Sequence, residues 1–285
     1  MSLKSIVTNV ANECGYTVET NVVGSSETTT KQLLTMAQRI NREIFEAYPW
    51  PKCYASGAVT TVAGQATYAL PAAFSRYQYD TFWNQSTRWR ILGPISEQEY
   101  AEIVGFGLTT TVYSRFQIRG MSNNELLISP TPGSSGEILV FEYIADRGVR
   151  PAVWVASTYY APNAYTFYNG NYYKTTAGGT SGPTPPTHTT GSDSDGGVTW
   201  DYYNGPYQDF LADTDESLFN DKLVEQGIKE LFAQIHGLTT VVPKFQQDLH
   251  EEYSRTAAGR VVYAGGFSRG EVFARSGTAV FGTWI

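Results

Sequence analysis

The sequence predicts an α+β protein: a helical bundle built from the N- and C-terminal helices, an antiparallel β region, an inserted small β domain and an extended C-terminal arm. Three observations carry this. Apolar residues recur every three to four positions near both ends of the chain, over 3–14, 33–44 and 223–253. From Cys53 to Ile144 the apolar period drops to two, as in half-buried strands. From 150 to 206 helical periodicity vanishes, and Tyr, Gly, Thr, Ser and Pro take over. The implied division is a discontinuous core of 1–149 and 207–258, an inserted β module of 150–206 and an arm of 259–285.

At the N-terminus Leu3, Ile6, Val7, Val10, Ala11 and Cys14 share one helical face, and Gly15 ends the helix. A Thr/Ser/Val-rich loop follows over 17–28. Leu33, Leu34, Ala37, Ile40 and Ile44 line a second helix, stopped by Pro49 and Pro51. Trp50, between those prolines, is expected to plug the end of the bundle. The partner stripes come from the other end of the chain: Leu223/Val224, Gly227/Ile228, Leu231/Phe232 and Ile235, then Phe245, Leu249 and Tyr253. Thr214 or Asp215 is expected to cap the first of these helices, Glu225 and Lys229 to form a surface ion pair, and Gly237 to close it. Pro243 suits the opening turn of the next.

Within the β region, residues 58–71 read as a hairpin turning at Ala63-Gly64-Gln65, and 79–92 as a second strand pair. Ser96 and Glu99 form a capping-box pattern before a short helix running to about Val104. Strands are predicted over Tyr113–Arg119, Glu125–Ser129 and Ile138–Ile144, with 130–136 as a tight polar turn between the last two. In the insert, Tyr168, Tyr172, Tyr173, Trp200 and Tyr202 are the candidate binding surface, since exposed aromatics stack on sugar faces or anchor a protein. In the arm, Tyr263, Phe267, Phe273, Phe281 and Trp284 have no helix or strand period. They are expected to bury on a partner.

The 285 residues carry a net charge of −7, which argues against gripping nucleic acid. Only 16% of residues are charged and 14% are aromatic, a surface suited to contact with other protein. Cys14 and Cys53 read as free thiols, and no apolar run approaches a membrane span. His188, His236 and His250 fit no zinc spacing, and no nucleotide-binding or nucleophile-elbow motif is present. Asp193-Ser-Asp-Gly-Gly lacks the later Glu of a calcium loop and reads as a turn. A carboxylate pair arranged for glycoside hydrolysis is the one chemistry composition leaves open. The reading is therefore a non-enzyme without cofactor.

The order of signals resembles the head-to-tail connector adaptors of tailed bacteriophages, the ring proteins below the portal. The residues that carry the resemblance are Met1-Ser-Leu-Lys-Ser-Ile-Val, Val22-Val-Gly-Ser-Ser with Gln32-Leu-Leu, Tyr48-Pro-Trp-Pro, 60–71, Asp80-Thr-Phe-Trp-Asn, 92–100, Arg115-Phe-Gln-Ile-Arg-Gly, Phe141-Glu-Tyr-Ile and Ala212-Asp-Thr-Asp-Glu. The resemblance covers 1–149 and 207–257. It implies synthesis in the bacterial cytoplasm, a place at the head–tail interface of the virion, and a dodecameric ring of the chain with itself. The implied partners are the portal protein, reached by the C-terminal arm, and tail nozzle or tail fibre proteins; genome DNA passes through the channel without specific binding. The insert is extra to the short form of that family. It is similar to a small β module of phage tail proteins that resembles carbohydrate-binding folds.

Overall fold

The structure, a computed structural model, describes residues 1–107, 114–120, 124–237 and 243–261. It is of the α+β class. Among the described residues there are five α-helices, α1 (Leu3–Cys14), α2 (Thr28–Ala47), α3 (Glu97–Gly105), α4 (Asp221–His236) and α5 (Phe245–Val261). The chain divides into two compact units. One joins Met1–Lys52 to the described residues from Phe210 onward; the other is Cys53–Asp209.

The first unit is helical. Ser2 caps α1 by accepting the Ser5 N–H at 3.3 Å, and Gly15 ends it at φ +79°, where its N–H reaches back to the last turn. Leu3, Ile6, Val7 and Val10 of α1, Leu33, Ile40 and Ile44 of α2, and Val224, Ile228 and Phe232 of α4 are all buried. Gly227 lets α4 approach closely. A Cβ there would sit 2.6 Å from Ile40 Cγ2 and 2.9 Å from Phe245 Cε2.

Three expectations change in detail. Asn220, not Thr214 or Asp215, caps α4, accepting the Lys222 N–H at 3.1 Å. The two aspartates serve other amides. Asp215 Oδ2 accepts from Leu211 at 2.7 Å and Ala212 at 3.0 Å, and the Asp213 carboxylate accepts from Val22 at 3.0 Å and Val23 at 2.6 Å. Their carbonyls accept from Leu3 and Lys4, at 2.7 and 3.1 Å, so this acidic stretch latches the two chain ends together. Glu225 and Lys229 do not pair with each other, because α1 offers each a partner. Glu225 is buried and accepts from Asn9 Nδ2 at 2.8 Å, and Lys229 pairs with Glu13. Ile235 is exposed, since the buried stripe of α4 ends at Phe232 and Ala233. Gly237 closes α4 at φ +65°, as its position after the stripe predicts.

Glu230 of α4 accepts the Phe245 N–H at 2.7 Å, satisfying an otherwise orphaned donor at the start of α5. Phe245 and Leu249 are buried, and Tyr253 stacks on Tyr48 at 4.2 Å. Trp50 is buried beside them, its indole donating to the Ile44 carbonyl at 2.6 Å. It plugs the unit as expected.

The second unit is mostly strand. In chain order these are β1 (Tyr54–Thr60), β2 (Thr67–Ala69), β3 (Phe74–Tyr77), β4 (Trp83–Asn84), β5 (Trp89–Arg90), β6 (Arg115–Arg119), β7 (Glu125–Ser129), β8 (Ile138–Ala145), β9 (Val149–Arg150), β10 (Tyr159–Tyr160), β11 (Tyr165–Tyr168), β12 (Asn171–Ala177), β13 (Gly179–Thr180), β14 (Ser192–Asp195) and β15 (Val198–Tyr203). β8 pairs with β1 along one side and with β3 and β4 along the other, with β5 beyond β4. A second sheet runs β2–β7–β6. Phe82, Phe116, Leu126, Leu139 and Phe141 form one core with residues from both sheets.

The expected hairpin over 58–71 is not formed. β1 pairs with β8 and β2 with β7, so the turn at Gly64 carries the chain from one sheet to the other. The Tyr68 hydroxyl holds that turn by donating to the Gln65 carbonyl at 2.8 Å. Residues 130–136 likewise pass between sheets rather than joining neighbours. Alternation tells which face a residue occupies, not which strand it pairs with. The capping box of α3 forms in both directions: Ser96 Oγ accepts from Glu99 N and Glu99 Oε2 from Ser96 N, each at 3.2 Å. The strand expected from Tyr113 begins at Arg115, with Tyr113 itself outside the described residues.

Candidate interaction surfaces

The segment 150–206 builds its own antiparallel sheet in the order β11–β12–β15–β14, with β10 and β13 paired beside it. Its two ends meet. The Tyr207 N–H donates to the Asp146 carbonyl at 2.8 Å, and the Gly148 and Val149 N–H groups donate to the Tyr207 carbonyl at 3.2 Å. Arg147 pins this junction. Its guanidinium lies 4.4 Å over the Tyr172 ring and donates to the carbonyls of Gly205 and Tyr203 and to Asn204 Oδ1 at 3.2–3.3 Å.

Strand pairing sorts the aromatics into two faces. Thr166, Tyr168, Tyr173, Thr175, Trp200 and Tyr202 share one; Tyr165, Phe167, Tyr172, Lys174, Asp201 and Tyr203 share the other. The five candidate residues therefore do not form one surface. Tyr173 and Trp200 are fully buried and make the module's core with Val198. Burial pushes the Tyr173 phenol up, and its hydroxyl donates to the His188 carbonyl at 3.0 Å. Tyr172 is buried on the opposite face under Arg147, its hydroxyl donating to the Val149 carbonyl at 3.1 Å. Tyr168 and Tyr202 stay half-exposed over the core.

Trp154 joins them, a residue the sequence reading did not select. Its backbone N–H donates to the Phe167 carbonyl at 2.9 Å, as this segment runs beside β11 through a parallel bridge from Val153 to Phe167. Its ring lies 6.1 Å from that of Tyr168. The alternation of Val153, Trp154 and Val155, with both valines exposed, is the signal that points to it.

The opposite face is lined by cations over rings: Lys174 over Tyr165 at 5.7 Å and Arg150 over Phe167 at 5.4 Å. Asp201 on that face is held below the usual carboxylate range by hydroxyls of Ser192 and Thr176, the latter at 2.7 Å. Tyr263, Phe267, Phe273, Phe281 and Trp284 lie outside the described residues.

The three histidines stand apart. His188 packs 5.1 Å from the Tyr173 ring, His236 lies 4.2 Å from Phe232, and His250 Nδ1 is 3.3 Å from the Tyr48 hydroxyl. Cys14 and Cys53 are not joined in a disulfide, and burial raises the pKa of Cys14. Among the described residues no three of His, Cys, Asp and Glu gather to hold a metal, and no helix is long and apolar enough to cross a membrane.

The sequence of residues 1–168 matches the family described as SU10 adaptor protein. No curated protein matches the chain. The matched range is more than half of the 285 residues and takes in α1, α2, α3, both packed sheets and the first strands of the module. The chain belongs to the SU10 adaptor protein family and is thereby a phage structural adaptor, a virion component that contacts other virion parts.

Proposed function

We propose that the protein assembles as a dodecameric ring between portal and tail. It binds the portal on one side, tail nozzle or tail fibre proteins on the other, and leaves a channel through which the genome passes without specific contact. The observation that carries this reading is the adaptor-family match over residues 1–168. The net charge of −7 supports it, since a channel that attracted phosphate would retard DNA. In this reading residues 1–149 and 207–258 form the adaptor core, 150–206 is an inserted module, and the arm from 259 docks on the portal through Tyr263, Phe267, Phe273, Phe281 and Trp284. Purified protein mixed with portal-bearing heads and imaged by electron microscopy should show a twelve-fold ring below the portal. A protein that stays monomeric and ignores those heads overturns the reading. Truncation after Ala258 should leave the fold intact and abolish attachment.

A second role belongs to the insert, which we read as a binding element for a partner outside the ring. The half-exposed aromatics Trp154, Tyr168 and Tyr202 favour it. Deleting 152–204 tests it: a deletion that leaves every tail attachment and every ligand unaffected makes the module decoration.

A further inference from the structure

We infer that the free edge of β1 receives residues 278–285 of a neighbouring copy as an added strand. This rests on the reading of the protein as a ring and says what joins one copy to the next. β1 lies at the edge of its sheet and pairs with β8 alone. The main-chain bonds of β8 sort its two sides. The Gln85 N–H donates to the Ile138 carbonyl at 2.8 Å and the Gln78 N–H to the Glu142 carbonyl at 3.1 Å, so these residues turn their main chain away from β1. Leu139, Phe141 and Tyr143 alternate with them and bond their partners Val59, Gly57 and Ala55. The N–H and C=O groups of Ser56, Ala58 and Thr60 therefore point out from the sheet. All three residues are exposed, and these groups have no hydrogen-bond partner among the described residues.

Strand edges are ordinarily blunted by charge, proline, a bulge or shortness, because a bare edge templates pairing. Other edges of this unit show that protection. β14 carries Asp193 and Asp195, and β2 and β5 are three and two residues long. β6 carries Arg115 and Arg119, and its Phe116 main chain is bonded by Leu92 and Ile95. β1 has none of these devices: its seven residues are uncharged, lack proline and keep unbroken register with β8. Its outer face also continues an apolar row. Trp83 stands opposite Val140 and Val140 opposite Ala58, with Ile138 beside them; Trp83 and Ile138 are 44% and 42% exposed. A strand added beside β1 lays its outward side chains at the end of that row.

The arm supplies the occupant. Residues 262–285 lie outside the described residues, and 276–285 carry no charged side chain. An uncharged segment suits this edge, since a charge laid against the apolar row would lose water without gaining a partner. Thr278-Ala-Val-Phe-Gly-Thr-Trp-Ile is rich in the β-branched and aromatic residues that strands favour, and it is long enough to run the length of β1. Residues 262–277 span up to roughly 55 Å when extended, which lets the segment leave its own copy. Pairing uses the main chain and leaves side chains on both faces of the strand, so it is compatible with Phe281 and Trp284 meeting the portal.

The test uses full-length chains assembled on portal-bearing heads. One chain carries Ala58→Cys and a second carries Thr278→Cys, Val280→Cys or Gly282→Cys. The two are mixed, so a disulfide between the new thiols joins different copies. Mild oxidation should give a linked dimer for at least one pairing, beyond the background of the parent, with its own Cys14 and Cys53, and of either chain alone. Ser194→Cys, on the β14 edge, should give no such link. Ala58→Pro removes an outward N–H and spares the bonds to β8. It should weaken ring assembly about tenfold or more with the arm unchanged. Thr60→Lys, which charges the edge, should do the same. Circular dichroism checks each fold, and if Ala58→Pro unfolds, Thr60→Lys and the cross-links decide. Absence of a link in every mixed pairing, or rings of folded Ala58→Pro and Thr60→Lys as stable as the parent's, overturns the inference and leaves the ring reading standing. A link that forms only within a single chain carrying both Ala58→Cys and Val280→Cys also overturns it, since the arm then covers its own edge. If the parent forms no ring on the heads, the ring reading falls and this inference with it.

Discussion

Asp213 accepts two backbone N–H groups, from Val22 and Val23, across 190 positions of sequence. Its position in an acidic stretch ahead of a helix suggests a cap, and that is the role the sequence assigns to its neighbours. The cap went to Asn220 because several suitable side chains precede α4 and propensity cannot choose among them. Asp213→Ala leaves two amides unpaired near the buried Val22. It should lower stability by about 2 kcal/mol, read as a reduced urea midpoint with unchanged slope. Asp213→Asn, which keeps one acceptor oxygen, should lose less. Asp201 makes a pH-dependent contribution. Its folded pKa lies below the unfolded value because Ser192 and Thr176 hydroxyls donate to the ionised form. The stabilisation is therefore present above the unfolded carboxylate pKa of about 3.9 and lost as pH falls through the lower folded value. Thermal unfolding followed between pH 7 and 3 should show a smaller acid-induced drop for Thr176→Val than for the parent.

The helices were legible at the level of elements. α1 spans the predicted residues because a long buried stripe, a capping Ser2 and a terminating Gly15 all agree. Gly227 was legible only as a member of the α4 stripe; that it is a contact point between three helices needed their packing. There an added methyl would gain about 1 kcal/mol in helix propensity. It would also meet Ile40 and Phe245 at under 3 Å in a filled interface, and overpacking of that kind costs about 1–3 kcal/mol. Gly227→Ala should thus be destabilising on balance, and Gly227→Leu strongly so, as measured by thermal unfolding of α-helical signal. The strands were legible as strands but not as pairs. β1 and β2 flank an ordinary turn signal, yet the residues they pair with lie about 56 to 90 positions later. In the module, the sequence reading grouped Tyr168, Tyr172, Tyr173, Trp200 and Tyr202 as one surface and could not say that Tyr173 and Trp200 face inward. That depends on which face the 152–154 segment and β10 cover.

For the molecule as a whole, Arg147 ties together the two ends of the segment 150–206. Its two ends already touch through Tyr207 and Asp146, so excision of 152–204 with a short Gly/Ser bridge should preserve the remaining fold. The excised protein should give the same helical circular dichroism per molecule and one cooperative transition. Arg147→Ala should instead loosen the module while keeping it attached, because three acceptors and the Tyr172 ring lose their shared partner. Hydrogen exchange should then quicken in 150–206 and stay unchanged in α1, α2 and α4.

The helical unit is assembled from both ends of the chain, with 157 residues, Cys53 to Asp209, between its halves. On the ribosome, α1 and α2 therefore emerge with their apolar stripes bare, and α4 follows only after those residues have been translated. At about 5–20 residues per second that is a wait of roughly 8–30 s. Throughout it the nascent chain presents Ile6, Val10, Leu33 and Ile44 to solvent without their partner helix. Production of this adaptor should therefore depend on holdase chaperones during synthesis more than its final stability would suggest. Ribosome stalling within the β unit should divert the chain into aggregates.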